Sequence, residues 1–169
     1  MNWIGLWTLT SREVGRFFKV YRQTVIPGLI SSVLYILIFG FTLEQRISSI
    51  EGISYTIFII PGLIMMNTLT NASSNPSSSL LQMKLTGQVP DLMQAPLSSL
   101  EISLAFIVGG VVRGVVNGIL ILLIGMWIGG MEVLYPIATI GFIFVVSVAF
   151  SSMGLLLGQL ADTWDQLAT

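Results

Sequence analysis

Four long apolar runs, near residues 25–43, 53–69, 104–128 and 134–157, restrict this chain more than any other feature. Each is close to the roughly 17–25 residues that cross a bilayer core as a helix. Backbone inside lipid must satisfy its own hydrogen bonds, so a spanning segment is a helix or part of a closed barrel. These runs are continuous rather than alternating, which excludes the barrel pattern. Only 9% of the 169 residues are charged, against about 25% in an average soluble domain. The expectation is an all-α, polytopic membrane protein.

Residues 1–23 precede the first run and repeat aromatic and apolar side chains at helical spacing: Trp3, Trp7, Thr10, Val14, Phe17 or Phe18, and Tyr21. Arg12, Arg16 and Lys19 fall elsewhere on the helix. This pattern fits an interfacial helix with its aromatic face in the membrane and its cations toward the headgroups. An ordinary amphipathic surface helix is the plainer alternative. A basic cluster before an apolar run also opens signal peptides, but the run is long and no small-residue cleavage site follows, so a retained anchor is expected.

Orientation follows from the cations. Arg12, Arg16, Lys19, Arg22 and Lys84 fall on one side, with Arg113 close to it, against Arg46 on the other. The excess of Lys and Arg marks the cytoplasmic side, so both ends of the chain and residues 71–101 are expected there. An arginine at mid-bilayer is costly, so Arg113 is expected near the cytoplasmic boundary, snorkelling to the headgroups.

Residues 71–101 carry Pro76, Gly87, Pro90 and Pro96 and a run of serines, and are read as a broken cytoplasmic loop rather than spanning helix. Yet Leu80, Leu81, Met83, Leu92 and Met93 give it apolar patches that a tether does not need, which suggests docking. Asn67 and Asn71 lie one turn apart before it and fit two readings, an interhelical hydrogen bond or an exit into the headgroups; the exit is adopted. Asn71-Ala72-Ser73 matches a glycosylation sequon but is discounted on the cytoplasmic side. In the third run Gly110, Gly114, Gly118, Gly125 and Gly129 share a face, the spacing that lets helices approach closely.

Little chemistry is available. The carboxylates are scattered and none is central in an expected span, which argues against an intramembrane proton relay. The chain has no Cys and no His, which excludes a disulfide framework and the usual zinc ligands. No nucleophile elbow and no Walker loop is present. A net charge of −1 gives no reason to expect nucleic acid.

Three blocks carry a family resemblance: FIIPGLIMMNTLTNASSN (58–75), DLMQAPLSSLE (91–101) and GGVVRGVVNG (109–118). The chain resembles the ABC-2 type transporter permeases, and is most similar to small bacterial export permeases related to drug-efflux, nodulation-factor and polysaccharide export subunits. The resemblance implies an interfacial N-terminal helix and six spans in the inner membrane, of which this chain covers four, so it reads as part of a longer protein. It also implies a homodimer or pseudo-dimer of permease subunits paired with a cytoplasmic ATPase. That ATPase binds the ATP, and this chain binds no cofactor. The contact with the ATPase is implied in the loop between the second and third spans, at Met83, Lys84, Gln88, Pro90, Asp91, Leu92, Met93, Pro96 and Leu97. Leu92 and Met93 are expected as its apolar contacts and Lys84 and Asp91 as its polar ones, with Gln88 and Pro90 shaping a helix start. Pro90 stands where many relatives carry an acidic residue. The implied function is ATP-driven export of a hydrophobic or amphipathic solute; the alternative is a non-transporting scaffold that recruits a partner through residues 71–101.

Overall fold

The computed structural model describes residues 2–42 and 52–168. Its helices are α1 (Trp3–Lys19), α2 (Tyr21–Thr24), α3 (Ile26–Tyr35, continued by a π-helical stretch Ile36–Phe41), α4 (Tyr55–Leu85), α5 (Val89–Gln94), α6 (Ser99–Gly129), α7 (Pro136–Leu160) and α8 (Trp164–Ala168). Arg46 and the expected connection over 44–51 lie outside the described residues. Four helical stretches are long and apolar enough to cross a membrane: Tyr21–Gly40, Tyr55–Leu85, Ser99–Gly129 and Pro136–Leu160. Pro27 sits in the first turn of α3, where its missing N–H has no intrahelical partner to lose.

The largest departure from expectation is α4, which does not break at Asn71 but continues through Pro76 to Leu85. The polar run stays helical because its side chains fold back onto carbonyls one turn earlier. Asn71 Nδ2 donates to Asn67 O at 3.0 Å, Ser74 Oγ to Thr70 O at 2.6 Å, Ser77 Oγ to Ser73 O at 2.8 Å and Ser78 Oγ to Ser74 O at 2.6 Å. At 1.5 Å per residue the 31 residues of α4 reach about 46 Å. The hydrocarbon core is about 30 Å thick, so roughly three turns project beyond it.

Helix α6 also has 31 residues and begins earlier than the apolar run suggests. Ser98 and Glu101 form a capping box: Glu101 N–H donates to Ser98 Oγ at 3.3 Å and Ser98 N–H donates to Glu101 Oε2 at 2.7 Å. The helix ends at Gly130, whose φ of 63° is the left-handed conformation a C-terminal cap requires.

Helix α4 packs along both α6 and α7, and α1 lies along α6. Lipid is as apolar as leucine, so close van der Waals contact between helices replaces the hydrophobic drive. Small residues make that contact possible. A Cβ on Gly114 would lie 2.8 Å from Ala72 Cβ and 2.8 Å from Ser147 Oγ, and one on Gly118 would lie 2.5 Å from Thr68 Oγ1. A Cβ on Gly110 would meet Ala72 O at 2.6 Å and overlap Ser151 Oγ, while Gly125 and Gly129 both face Ile60. The whole glycine face of α6 is therefore turned to α4 of the same chain. Gly154 and Gly158 of α7 cross the backbone of α4 at Ser73 and Ser77. Ser151 Oγ of α7 donates to Ile107 O of α6 at 2.9 Å. One apolar cluster lies toward the Tyr55 end of α4, around Ile36, Ile60, Ile64, Ile121, Leu122 and Ile143. Another joins α1 to the opposite end through Leu9, Met83, Ala105, Phe106 and Leu155.

Candidate functional site

The segment between α4 and α6 is short because α4 runs so far. It turns at Gly87 (φ 69°), forms α5, and re-enters at Ser98. Gln88 is the N-cap of α5, Pro90 lies in its first two positions and Asp91 in its first turn, where an acidic side chain suits the helix dipole. The segment is held down from beneath. Leu92 and Leu97, with Val89, pack against the cluster of Leu9 and Met83. Met83 is only 3% exposed, whereas Met93 is 78% exposed. Of the two leading apolar contacts, Leu92 is thus an inward anchor and Met93 the outward group; Met83 also faces inward. Gln88, Pro90, Asp91 and Pro96 are exposed. Between α1 and this segment lies a cleft of about 450 Å³, floored by Leu9, Met83 and Leu92, with Arg12 and Gln88 at its rim. Arg12 Nη2 donates to Gln88 Oε1 at 3.5 Å, a long contact between exposed groups.

Lys84 is occupied elsewhere. Its Nζ donates to Gln159 O and, at 2.9 Å, to Ala161 O, with Asp162 Oδ1 at 3.6 Å. A cation on the last carbonyls of α7 complements its dipole, so Lys84 ties the end of α4 to the end of α7. Asp162 is 81% exposed and adds little. Lys84→Met is expected to lower stability by about 1.5 kcal/mol, the lower end for a charge-assisted bond. It should raise amide hydrogen exchange over residues 158–168; unchanged exchange there would remove the tie.

Helix α1 has three faces rather than two. Trp3, Trp7 and Phe18 are exposed, and Arg12 and Lys19 are exposed on another side. The third face, Leu9, Glu13 and Phe17, is buried. Phe17 therefore faces inward and Phe18 outward. Arg16 departs from the expected headgroup-facing set by turning toward the spans. Its Nη2 donates to Asn75 O at 2.7 Å and Asn75 Oδ1 at 3.3 Å, and lies 3.4 Å from Glu13 Oε2. The cause is Glu13, fully buried beside Gly109, which draws the neighbouring guanidinium in. Burial lowers the Arg16 pKa from its ordinary value; Glu13 opposes that shift and Arg12 adds to it.

Arg113 is likewise turned into the bundle. Its Nε donates to Asn71 Oδ1 at 3.1 Å, instead of the side chain reaching along lipid to the headgroups. Asn71 and Asn67 make interhelical bonds rather than marking an exit, since Asn67 Nδ2 donates to Ser32 Oγ of α3 at 3.0 Å. The sequon at Asn71 is only 7% exposed, within the helix. With the Gly129 end of α6 at one hydrocarbon boundary, Arg113 is about 24 Å away, roughly one turn inside the other. Cysteine placed at 113 is expected to react with an aqueous thiol probe on the side of residues 89–97 faster than cysteine at Gly125; equal protection would place Arg113 deeper.

Glu13, Asn75 and Glu101 were not among the expected side chains. Glu13 lies four residues after Leu9 and four before Phe17, which was its signal. Glu101 also accepts from Asn2 N–H, joining the starts of α1 and α6. Among the described residues no group of three or more His, Cys, Asp or Glu is placed to hold a metal.

An amphipathic N-terminal helix, four helices long and apolar enough to cross a membrane, and a short anchored segment between the second and third of them describe a polytopic α-helical membrane protein. The family described as ABC-2 type transporter matches residues 5–169, and the chain belongs to that family. It is 35% identical over 168 residues to the inner membrane transport permease YadH of Escherichia coli (strain K12), covering 99% of this chain and 66% of that one. The YadH of Shigella flexneri gives the same figures. Nodulation protein J of Rhizobium leguminosarum bv. viciae is 21% identical over 168 residues, covering 98% of this chain and 63% of its own. The chain thus spans 66% of the length of the YadH relatives. No solved structure matches it.

Proposed function

We propose that the complete protein is the membrane-spanning subunit of an ATP-driven exporter, moving a hydrophobic or amphipathic solute outward across the inner membrane. It works as a pair of permease subunits, and ATP is hydrolysed on a separate cytoplasmic ATPase that docks on residues 83–97. Helix α1 and the end of the chain at α8 then both lie on the cytoplasmic side. The observation that carries this reading is the split character of the segment built on α5: Val89 and Leu92 of the helix and Leu97 just after it pack toward α1 and α4, while Pro90, Asp91 and Met93 are left on the outer surface. A segment that is rigid beneath and exposed above suits a contact that passes on a rigid-body push.

The test is copurification of the full-length protein with its ATPase. Asp91→Lys together with Met93→Asp is expected to abolish recovery of the ATPase while leaving permease yield and thermal stability unchanged. Leu92→Asp is expected to lower the yield of the permease itself, since it buries a charge against Leu9 and Met83. Normal ATPase recovery with the Asp91/Met93 variant would overturn the assignment of the contact.

A further inference from the structure

The group formed by Glu13, Arg16 and Asn75 is incompletely paired. Both carboxylate oxygens of Glu13, Arg16 Nε and Asn75 Nδ2 are buried with no hydrogen-bond partner among the described residues. Two donors without a hydrogen-bond partner thus lie in the same buried group as a carboxylate whose close polar contact is the ion pair with Arg16 Nη2 at 3.4 Å. Glu13 Cβ and Asn75 Nδ2 lie 2.8 Å and 3.0 Å from a single point, the Cβ position that Gly109 leaves empty. A half-satisfied buried ionic network is costly, and it favours any nearby arrangement that completes it. A shift of α1 across Gly109 that brought the Glu13 carboxylate onto Asn75 Nδ2 would satisfy one of these two donors.

The position of α1 makes that movement consequential. At its N-terminal end Leu6 and Leu9 pack with Leu92 and Leu97 of the docking segment, and a Cβ on Gly5 would lie 2.7 Å from Leu97 Cδ2. Further along, Arg16 is fastened to Asn75 of α4. By contrast, the covalent route from α5 back to α4 passes through the turn at Gly87, where an added Cβ would meet nothing within 4 Å. Asn75 is one turn from Asn71, which holds Arg113 of α6.

We propose that Glu13, Arg16 and Asn75 are positioning residues that give α1 two alternative seats against α4 and α6, and that docking at residues 83–97 selects between them. The seat in this structure pairs Arg16 with Asn75; the second adds Glu13 to Asn75. The selection by docking rests on the function proposed above, whereas the two seats themselves do not.

Residues 1–169 contain no cysteine; with any cysteine elsewhere in the full-length protein replaced by serine, spin labels at Gly15→Cys and Gln82→Cys report the separation of α1 and α4 in nanodiscs. Two distance populations are expected in the permease alone, merging into one in Asn75→Ala and in Glu13→Gln, with the folded protein intact in circular dichroism. Addition of the ATPase is expected to change the population ratio by about tenfold, and the same variants to lower kcat for ATP hydrolysis about fivefold with KM within about twofold. A single population in the parent protein, or two populations unaffected by both substitutions, would overturn the proposal. Two populations that respond to the substitutions while the ATPase fails to bind would support the seats and count against the ATPase reading alone.

Discussion

Gly154→Ala is expected to destabilise the full-length protein by about 3 kcal/mol, the upper end of the usual cost of overpacking. The added methyl would overlap Ser73 O and lie 2.6 Å from Ser73 Cα and 2.7 Å from its carbonyl carbon. These are backbone atoms inside α4, so no rotamer change relieves the contact. Separating α7 from α4 also removes the close approach at Gly158 and Ser77 and strains the tie from Lys84 to Ala161. Gly141→Ala on the same helix is the control, since an added Cβ there meets nothing within 4 Å, and it should leave stability unchanged or raise it by up to about 1 kcal/mol through helix propensity. Thermal unfolding of both proteins in one detergent decides the matter. Equal midpoints would mean that α4 and α7 are not in backbone contact at Ser73.

Arg16→Ala is expected to cost about 3–5 kcal/mol, because it leaves the fully buried Glu13 without its counter-charge. Removing both charges, as Glu13→Gln with Arg16→Met, should recover most of the loss, since a buried pair is often replaceable by neutral groups of similar volume. Arg16→Lys should fall between, keeping the charge but losing the placement of Nη2 that reaches both Asn75 O and Glu13. Unfolding midpoints of the three variants test this ordering. A double variant as unstable as Arg16→Ala would show that packing of the Arg16 stem, rather than its charge, holds α1 in place.

The spans were legible because apolar length is a one-dimensional property. All four runs became helices, and the glycine spacing of the third run placed its small face against α4. What was not legible depended on which way side chains point. Pro76 and the serines around it read as breakers, yet the hydroxyls at Ser74, Ser77 and Ser78 close onto carbonyls of their own helix. Arg16 and Arg113 read as headgroup cations, but a buried carboxylate one turn earlier on α1 and a carboxamide on α4 turn them inward. Leu92 and Met93 are adjacent in sequence, and only the packing of α5 on Leu9 separates an inward anchor from an outward contact. The start of α6 was readable from Ser98 and Glu101, whose spacing is that of a capping box, but it was masked by reading the polar stretch as one loop.

The central claim is that α5 presents one face to an ATPase and keeps the other for the permease. Photo-crosslinking from single positions in the full-length protein, expressed with its natural partners, tests it most directly. A reactive residue at 91 or 93 is expected to give an adduct identified by mass spectrometry as a Walker-motif ATPase, and one at 83 or 92 is expected to give none. Adducts of equal strength from 92 and 93, or no ATPase adduct from 91 and 93, would contradict it.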